Sequence, residues 1–232
     1  MPDRDLKRFK NVLAVFPHAD DETVTCGGSL RRFADAGARV TLLILTRGER
    51  GNPTGSPDPA LESTRHREAE SAAHYLGVVE LIQQDFGDGR LRLCAGEVGS
   101  YLSRLLGELR PDLVLAHDLA GLDGHDDHIA SSEIVTALHA AEPRFTLWYV
   151  TLPAWLTRFL KVIGQMATSQ QVDARRAIPT HRIFLGAATV PKIRAWYAYR
   201  SQRGAIAKGL GRLVPAWLAV SLQQFEYFAE AP

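Results

Sequence analysis

The sequence predicts an α/β fold with a doubly wound, mainly parallel sheet and helices on both of its faces. Three observations lead to this prediction. Strand-like and helix-like runs alternate along the first two thirds of the chain. The strand-like runs are apolar at successive positions, as in strands that are buried on both faces. Several helix-like runs end at glycine or proline, which are common helix stop signals.

The predicted elements alternate in chain order, beginning with a strand. The strand-like runs share a high content of β-branched and other apolar residues. They lie at 11–16 (NVLAVF), 39–46 (RVTLLILT), 78–85 (VVELIQQD), 112–117 (DLVLAH) and 145–152 (FTLWYVTL). The helix-like runs have apolar residues at helical spacing and lie at 28–37, 60–77, 97–111 and 126–141. A helix between successive strands is the crossover that parallel pairing requires.

The length of the chain suits one substantial hydrophobic core, since 46% of its 232 residues are apolar. We expect a single domain over residues 1–232, with an insertion at about 153–180. Apolar and basic residues follow a partly helical spacing in this insertion, which favours a lid or an oligomer contact. An oligomer contact there would make the protein a homo-oligomer. Contact with a membrane surface is less favoured, because polar residues interrupt the segment.

The composition predicts a cytoplasmic protein that binds no nucleic acid. Its two cysteines, Cys26 and Cys94, are too few for a disulfide framework. The charged N-terminus leads directly into the first strand, so no signal peptide is expected. No apolar run approaches the roughly 18 to 20 residues that cross a bilayer. Basic residues prevail after residue 151, but they are interleaved with apolar residues and form no nucleic-acid-binding motif.

The predicted fold places the functional site at the carboxyl ends of the strands, where open parallel sheets bind ligands. Loops rich in His, Asp, Glu and Arg follow the first four strands, and they read PHADDE, RGERG, FGDGR and DLAGLDGHDDH. The first loop holds three consecutive carboxylates, at 20–22. These charges would repel a phosphate at the place where a dinucleotide-binding protein has its glycine-rich turn. Nicotinamide-type cofactors are therefore excluded.

A divalent metal ion explains the acidic first loop better than a solvated turn does. His18 and Asp21 are separated by two residues, so both can converge on one ion from a tight turn that enters a helix. A catalytic zinc site commonly has three His or carboxylate ligands and one open position for water. The segment GHDDH at 124–128 is the other dense cluster of His and Asp. His128 begins the following helix and is the candidate third ligand.

The segments PHADDE and GHDDH resemble the PHPDDE and HPDH signatures of the LmbE-like, or PIG-L, superfamily of zinc-dependent N-deacetylases. Further similar segments follow in order along the chain. They are LTRGERG at 45–51, RHREAESAAHYLGV at 65–78, FGDGRL at 86–91 and KIRAWYAYRSQ at 192–202. Ala19 and Asp126 stand where the family usually has proline, which alters both turns but removes no ligand. The resemblance implies a Rossmann-like deacetylase fold.

The resemblance also implies roles for individual residues. The zinc ligands would be His18, Asp21 and His128. Asp20 would be the general base, and a protonated His125 would stabilise the oxyanion with Asp127 holding its ring. For Asp127, a helix N-terminal acid stabilised by the helix dipole is an equally good interpretation. Arg67 and Asp88 match positions that contact the sugar.

Two residues near the same edge are expected to be structural. Glu22 is interpreted as an inner acid at the start of a helix. His117, at the end of the fourth strand, is expected to be a hydrogen-bonded structural histidine.

The combined pattern favours a zinc-dependent hydrolase that removes an N-acetyl or other N-acyl group from an amino sugar. The substrate would be a small saccharide or glycoside, or a lipid-linked sugar. Two alternatives stay open: a metal-dependent phosphoesterase, which usually employs two bridged metal ions, and a non-catalytic sugar-binding protein. Asp20 argues against a binding protein, which needs no second carboxylate beside a ligand. Iron, cobalt or manganese would also fit these ligands.

Overall fold

The computed structural model of this chain describes residues 3–52, 56, 58–162, 166, 168–202 and 223–232. In these residues seven strands form one sheet. The strands are β1 Asn11–Phe16, β2 Arg39–Ile44, β3 Glu80–Gln83, β4 Leu113–His117, β5 Thr146–Thr151, β6 His181–Phe184 and β7 Phe225–Glu230. Their order across the sheet is β3-β2-β1-β4-β5-β7-β6. Strands β1 to β5 are parallel, β7 runs antiparallel to β5, and β6 runs antiparallel to β7.

Helices cover both faces of the sheet. The described helices are α1 Asp3–Leu6, α2 Asp21–Asp35, α3 Pro59–Leu76, α4 Ala95–Leu109, α5 Gly121–Gly124, α6 Asp126–Ala141, α7 Ala154–Val162, α8 Gln170–Asp173 and α9 Thr189–Ala198. Side chains of α2, α3 and α9 pack in a core on one face, and those of α4 and α6 pack on the other. The prediction of a doubly wound α/β sheet is therefore confirmed.

Strand β1 shows why a continuous apolar run was the right signal for this fold. Val12, Ala14 and Phe16 enter the core under α2 and α3, whereas Leu13 and Val15 enter the core under α4 and α6. Successive side chains of a strand point to opposite faces, so a strand between two helical layers must be apolar throughout.

The observed elements differ from the predicted ones mainly at their ends. Strand β1 has the predicted bounds, and the other four predicted strands are present but shorter. The predicted helix at 28–37 begins earlier, since α2 starts at Asp21. Strands β6 and β7 were not predicted. They are short or mixed in polarity, and their antiparallel pairing depends on partners that are distant in sequence.

The order of the strands places the site. Strands β1 and β4 are neighbours, and α2 leaves β1 over one face while α6 follows β4 on the other. The two connections therefore diverge, and they open a crevice at the carboxyl edge between these strands, where α/β sheets bind ligands.

The predicted insertion at 153–180 contains α7 and α8, and its residues 163–165 and 167 lie outside the described residues. Part of it packs on the loop after β4: methyl groups of Thr168 and Val172 lie 3.4 Å from where a Cβ on Gly124 would stand. Its role as a lid or an oligomer contact stays a prediction. Among the described residues, no helix combines the length and apolar character needed to span a membrane.

Candidate metal and catalytic site

The loop after β1 brings the first acidic side chains to the crevice. Asp20 precedes α2 with φ 107° and ψ −27°, a left-handed conformation that typically costs a non-glycine residue about 1 to 3 kcal/mol. The backbone N–H of His18 donates to Asp21 Oδ2 at 2.9 Å and closes the turn. Asp20 and Asp21 are adjacent, yet they face different partners. Backbone strain of this kind is commonly concentrated at functional sites.

The three predicted metal ligands converge in the crevice. His18 Nδ1 lies 3.3 Å from His128 Nε2 and 3.5 Å from Asp21 Oδ2. Asp21 Oδ1 lies 3.3 Å from His128 Nε2. Zinc bonds of about 2.0 to 2.1 Å in tetrahedral geometry separate ligand atoms by roughly 3.3 to 3.4 Å. These donor atoms thus have the chemistry and the spacing that fit one zinc ion.

The second ring nitrogen of His128 is held by oxygen atoms. Its Nδ1 lies 3.1 Å from the carbonyl of Gly121 and 3.0 Å from Asp123 Oδ1. A proton on Nδ1, donated to these oxygens, leaves the lone pair on Nε2, which faces Asp21. Hydrogen bonds of this kind orient metal-binding histidines and fix their tautomer.

His18 is oriented in the same way by two carboxylates. Its Nε2 lies 3.2 Å from Asp127 Oδ2 and 3.2 Å from Asp88 Oδ1. Asp127 is itself fixed, because its oxygens accept the backbone N–H groups of Gly89 at 2.6 Å and Leu91 at 3.0 Å. A proton on Nε2 leaves Nδ1 of His18 free for a metal.

Wider groupings of donor atoms overlap with this triangle. Donor atoms lie within 4.8 Å of one another in three sets: His18, His125 and His128; Asp21, His117 and His128; and His18, Asp88 and Asp127. The last set is the hydrogen-bonding environment of His18 Nε2. The set of His18, Asp21 and His128 has its atoms 3.3 to 3.5 Å apart and uses the nitrogens that hydrogen bonds leave free. It is therefore the best candidate for a metal site.

The electrostatics of this cluster suit a cation. Burial opposes charge on His128, but the carboxylates of Asp21 and Asp123 prevail and raise its pKa to about 10. Burial likewise opposes charge on Asp21, and His128 and His18 hold the pKa of its carboxyl well below the usual range. A divalent ion that binds here would take the place of protons on the two histidines.

Asp20 stands beside the donor triangle with a different environment. Burial raises the pKa of its carboxyl to about 7, Arg65 opposes the shift, and the charges of Asp21 and Glu22 add to it. Arg65 lies 3.5 Å from Asp20 Oδ1. A carboxyl with a pKa near neutrality can both accept and return a proton, as a general base and acid must.

His125 lies at the mouth of the site, with its ring 5.0 Å from the rings of both His18 and His128. Its Nδ1 accepts the backbone N–H of Asp127 at 3.2 Å, which leaves the proton on Nε2. Burial and the charges of His18 and His128 lower the pKa of His125, so the neutral ring is favoured over the expected protonated one. The Asp127 carboxylate bonds His18 rather than the His125 ring, which also differs from expectation.

The structure does not bring Arg67 to the site. Its side chain is exposed, and its Nε donates to the Ser63 carbonyl at 3.3 Å. Arg65 is the arginine of α3 that faces the site. It is only 3% exposed and donates to the carbonyls of Gly48 at 3.2 Å and Ala19 at 2.5 Å.

Asp88 is buried beside His18 Nε2. Its Oδ2 accepts the backbone N–H of Arg50 at 3.1 Å, and its own N–H donates to Glu49 Oε1 at 2.8 Å. Burial opposes its charge, but His18 lowers the pKa of Asp88. The carboxylate thus orients a candidate ligand, and contact with substrate stays a prediction.

His117 is buried, as a structural histidine would be, but within the described part of the chain it lacks the hydrogen bond that was expected. It is fully buried, and among the described residues neither ring nitrogen has a hydrogen-bond partner. Its ring lies 4.4 Å from that of His128 and 5.0 Å from that of Phe16. Burial lowers the pKa of His117 to about 3, so the ring is neutral and supports His128 by packing.

Glu22 is the inner acid that was expected, but its hydrogen bond with Tyr199 was not expected. Its Oε1 accepts the hydroxyls of Thr23 at 2.6 Å and Tyr199 at 2.8 Å, and its Oε2 accepts the backbone N–H of Asp20 at 3.2 Å. Tyr199 follows α9, far away in sequence. It lies in the segment KIRAWYAYRSQ that resembles the family, but no role in this site was predicted for it.

The family profile described as "PIG-L: GlcNAc-PI de-N-acetylase" matches residues 13–139, which is more than half of the chain. The chain belongs to the PIG-L family. The matched region of this PIG-L protein runs from β1 through α6, so it contains the candidate metal ligands. The resemblance seen in its motifs is thereby confirmed.

Similar proteins include deacetylases of N-acetylglucosamine-containing substrates. A probable N-acetyl-alpha-D-glucosaminyl L-malate deacetylase 2 of Bacillus anthracis is 32% identical over 143 residues, which cover 60% of this chain and 63% of the relative. The structure of the N,N'-diacetylchitobiose deacetylase of Pyrococcus horikoshii superposes with a TM-score of 0.69 at 23% identity. That similarity covers 98% of this chain and 85% of the other.

The same fold also occurs in a protein with another activity. GalB of Pseudomonas putida, a 4-carboxy-2-hydroxymuconate hydratase, superposes on this PIG-L protein with a TM-score of 0.70 at 18% identity, covering 96% of each chain. The fold by itself therefore does not select the reaction, and function must be argued from the site.

Proposed function

We propose that this protein is a zinc-dependent hydrolase that removes the acetyl group from the nitrogen of an amino sugar in a small or lipid-linked glycoside. The observation that carries this proposal is the triangle of donor atoms on His18, Asp21 and His128, with the carboxylate of Asp20 beside it. Its relatives deacetylate N-acetylglucosamine-containing substrates, which supports the same reaction here.

The donor set is suited to a catalytic rather than a structural zinc site. Two histidines and one carboxylate leave a fourth position open, whereas structural sites usually close it with a protein ligand. A bound zinc ion would supply Lewis acidity, lowering the pKa of a water ligand to about 7 and polarising a carbonyl oxygen.

Asp20 would move the proton in this reaction. As a base it accepts a proton from the water that attacks the amide carbonyl, and as an acid it returns that proton to the leaving nitrogen. The amide C–N bond breaks, a C–O bond forms, and the products are acetate and a free amine. Burial and the nearby carboxylates raise the pKa of Asp20 to about 7, which suits both steps.

Two further side chains would assist around the reacting carbonyl. The His125 ring carries its proton on Nε2, because Nδ1 accepts a backbone N–H, so Nε2–H is available to donate to the developing oxyanion. Arg65 would hold Asp20 in place and balance its charge.

The proposal is tested by acetate release from a panel of N-acetylated amino sugars and their glycosides, using zinc-loaded protein. We expect Asp20→Asn to lower the rate about 10²- to 10⁴-fold, as for loss of a general base, with bound zinc unchanged. Asp35→Asn is the matched control, because Asp35 lies at the far end of α2, the helix that Asp20 precedes, and pairs with Arg31 on the surface.

Three results would argue against the proposed function. They are the absence of bound zinc in the unmodified protein, full activity in Asp20→Asn, and an N-acetyl sugar that binds without releasing acetate. The last result would favour a sugar-binding protein.

A further inference from the structure

Helix α2 is broken just after the turn that carries the candidate ligand Asp21. Cys26 has φ −140° and ψ 17°, outside the helical region. The break divides α2 into a first turn, from Asp21 to Thr25, and a longer second part. The direction of this first turn sets where the carboxylate of Asp21 stands, so whatever holds the break bears on the site.

A buried ion pair from two other elements lies at the break. Lys192 of α9 and Glu226 of β7 are 2.7 Å apart, and their side chains are 1% and 0% exposed. Glu226 accepts the backbone N–H of Gly28 at 3.0 Å and that of Ser29 at 2.7 Å. Lys192 Nζ donates to the carbonyl of Val24 at 3.3 Å.

These contacts engage the donor and the acceptor of one backbone hydrogen bond of the helix. In an uninterrupted helix the N–H of Gly28 donates to the carbonyl of Val24, four residues earlier. Here that N–H is bonded to Glu226 and that carbonyl is bonded to Lys192. Side chains that enter the hydrogen-bond ladder in this way are a known cause of kinks. The carboxylate also lies where the second part of α2 begins, and the helix dipole favours negative charge there.

The chain just after α9 also contacts the first turn of α2 at a second point. Tyr199, which follows α9, donates its hydroxyl to Glu22 at 2.8 Å. The first turn is therefore tied to the α9 region through both Val24 and Glu22.

We propose that Lys192 and Glu226 are positioning residues, which hold α2 open at Cys26 and so aim Asp21 at the metal site. This role rests on the proposed site of His18, Asp21 and His128. A buried ion pair contributes little net stability compared with apolar residues of similar size, so stability alone does not explain its presence.

The decisive test separates position from stability. In the double variant Lys192→Met/Glu226→Leu no charge is left buried, so the fold is expected to persist. Gly28 N–H and the Val24 carbonyl are then free to bond each other and straighten α2. We expect a melting temperature near that of the unmodified protein, but zinc affinity lower by about tenfold or more and an altered visible spectrum of the Co²⁺-substituted site.

Single variants and controls complete the comparison. Glu226→Asp keeps the charge but is too short to reach both amides, and it should weaken zinc binding less than the double variant does. Ser29→Ala removes a buried hydroxyl that has no hydrogen-bond partner in the described residues and should change neither property. Leu105→Ala, in the core on the opposite face, provides a matched loss of stability without a change at α2.

Zinc affinity is measured by competition with a chromophoric chelator, well below each melting temperature. The positioning role is overturned if the double variant binds zinc as the unmodified protein does. It is equally overturned if Glu226→Asp and Leu105→Ala lower the melting temperature equally and Glu226→Asp weakens zinc binding no more than Leu105→Ala does. This second comparison does not require the double variant to fold. Failure of the unmodified protein to bind zinc would instead refute the proposed function.

Discussion

Arg65 and Arg67 show how a motif can be found while its inward-facing residue is missed. The two arginines lie two positions apart in α3, and residues two apart on a helix point to different sides. The buried positions that continue the face of Arg65 are Ala69, Ala72 and Leu76. That helical spacing was present in the sequence and selects Arg65 as the inward-facing arginine. A charged residue on the apolar face of a helix indicates a buried charge near the site. The resemblance alone did not show which arginine has this position.

The two arginines make a matched pair of variants. Arg65→Ala removes the donor to the buried Ala19 carbonyl, which costs about 1 to 3 kcal/mol, whereas the Gly48 carbonyl keeps the backbone N–H of Gly51. We expect lower stability and slower acetate release. Arg67→Ala should change the free energy of unfolding by no more than about 0.5 kcal/mol, because its side chain is exposed. Urea unfolding and the acetate assay measure both effects. A larger loss of activity in Arg67→Ala than in Arg65→Ala would support the predicted contact between Arg67 and the substrate.

At the scale of elements, the start of α2 shows what local sequence cannot reveal. Thr23, Val24 and Thr25 are β-branched and two glycines follow, a composition that disfavours helix, and the predicted helix-like run began only at residue 28. In the structure this stretch is helical with a break at Cys26, where distant side chains bond its backbone. Strand β1 needed no such help, since its apolar residues specify burial on both faces. The candidate ligands His18 and Asp21 could be named from local sequence, but the contacts of Lys192 and Glu226 with α2 could not.

Helix α3, which carries Arg65, has an N-cap that can be tested directly. Asp58 Oδ1 accepts the backbone N–H groups of Ala60 at 2.9 Å and Leu61 at 3.3 Å. Asp58→Ala should lower the free energy of unfolding by about 1 kcal/mol, the usual worth of such a cap. Ser63→Ala, one turn further along, is the control. Equal urea midpoints for the two variants would show that the cap contributes nothing.

For the whole molecule, the order of the strands brings together residues that no single motif contains. The candidate ligands lie in the segments that follow β1 and β4, separated by about half of the chain, and they come together because these strands are neighbours in the sheet. Alternation of strands and helices was enough to predict this edge as the site. The antiparallel strands β6 and β7 were missed, and with them the source of Glu226, because pairing between β5 and β7 leaves no local pattern in either strand.

Because the site joins two distant loops, metal binding should stabilise the entire fold. An ion that binds only the native state adds about 2.7 kcal/mol at a concentration one hundred times its dissociation constant. For a chain of this size that corresponds to a rise in melting temperature of roughly 5 to 11 °C. We expect this rise when zinc is added to chelator-treated protein, as measured by calorimetry. In His128→Ala most of it should vanish, because the loop after β4 no longer supplies a ligand, whereas Asp35→Asn should retain it. If added zinc leaves the melting temperature of the unmodified protein unchanged, the two loops are not joined through a metal ion.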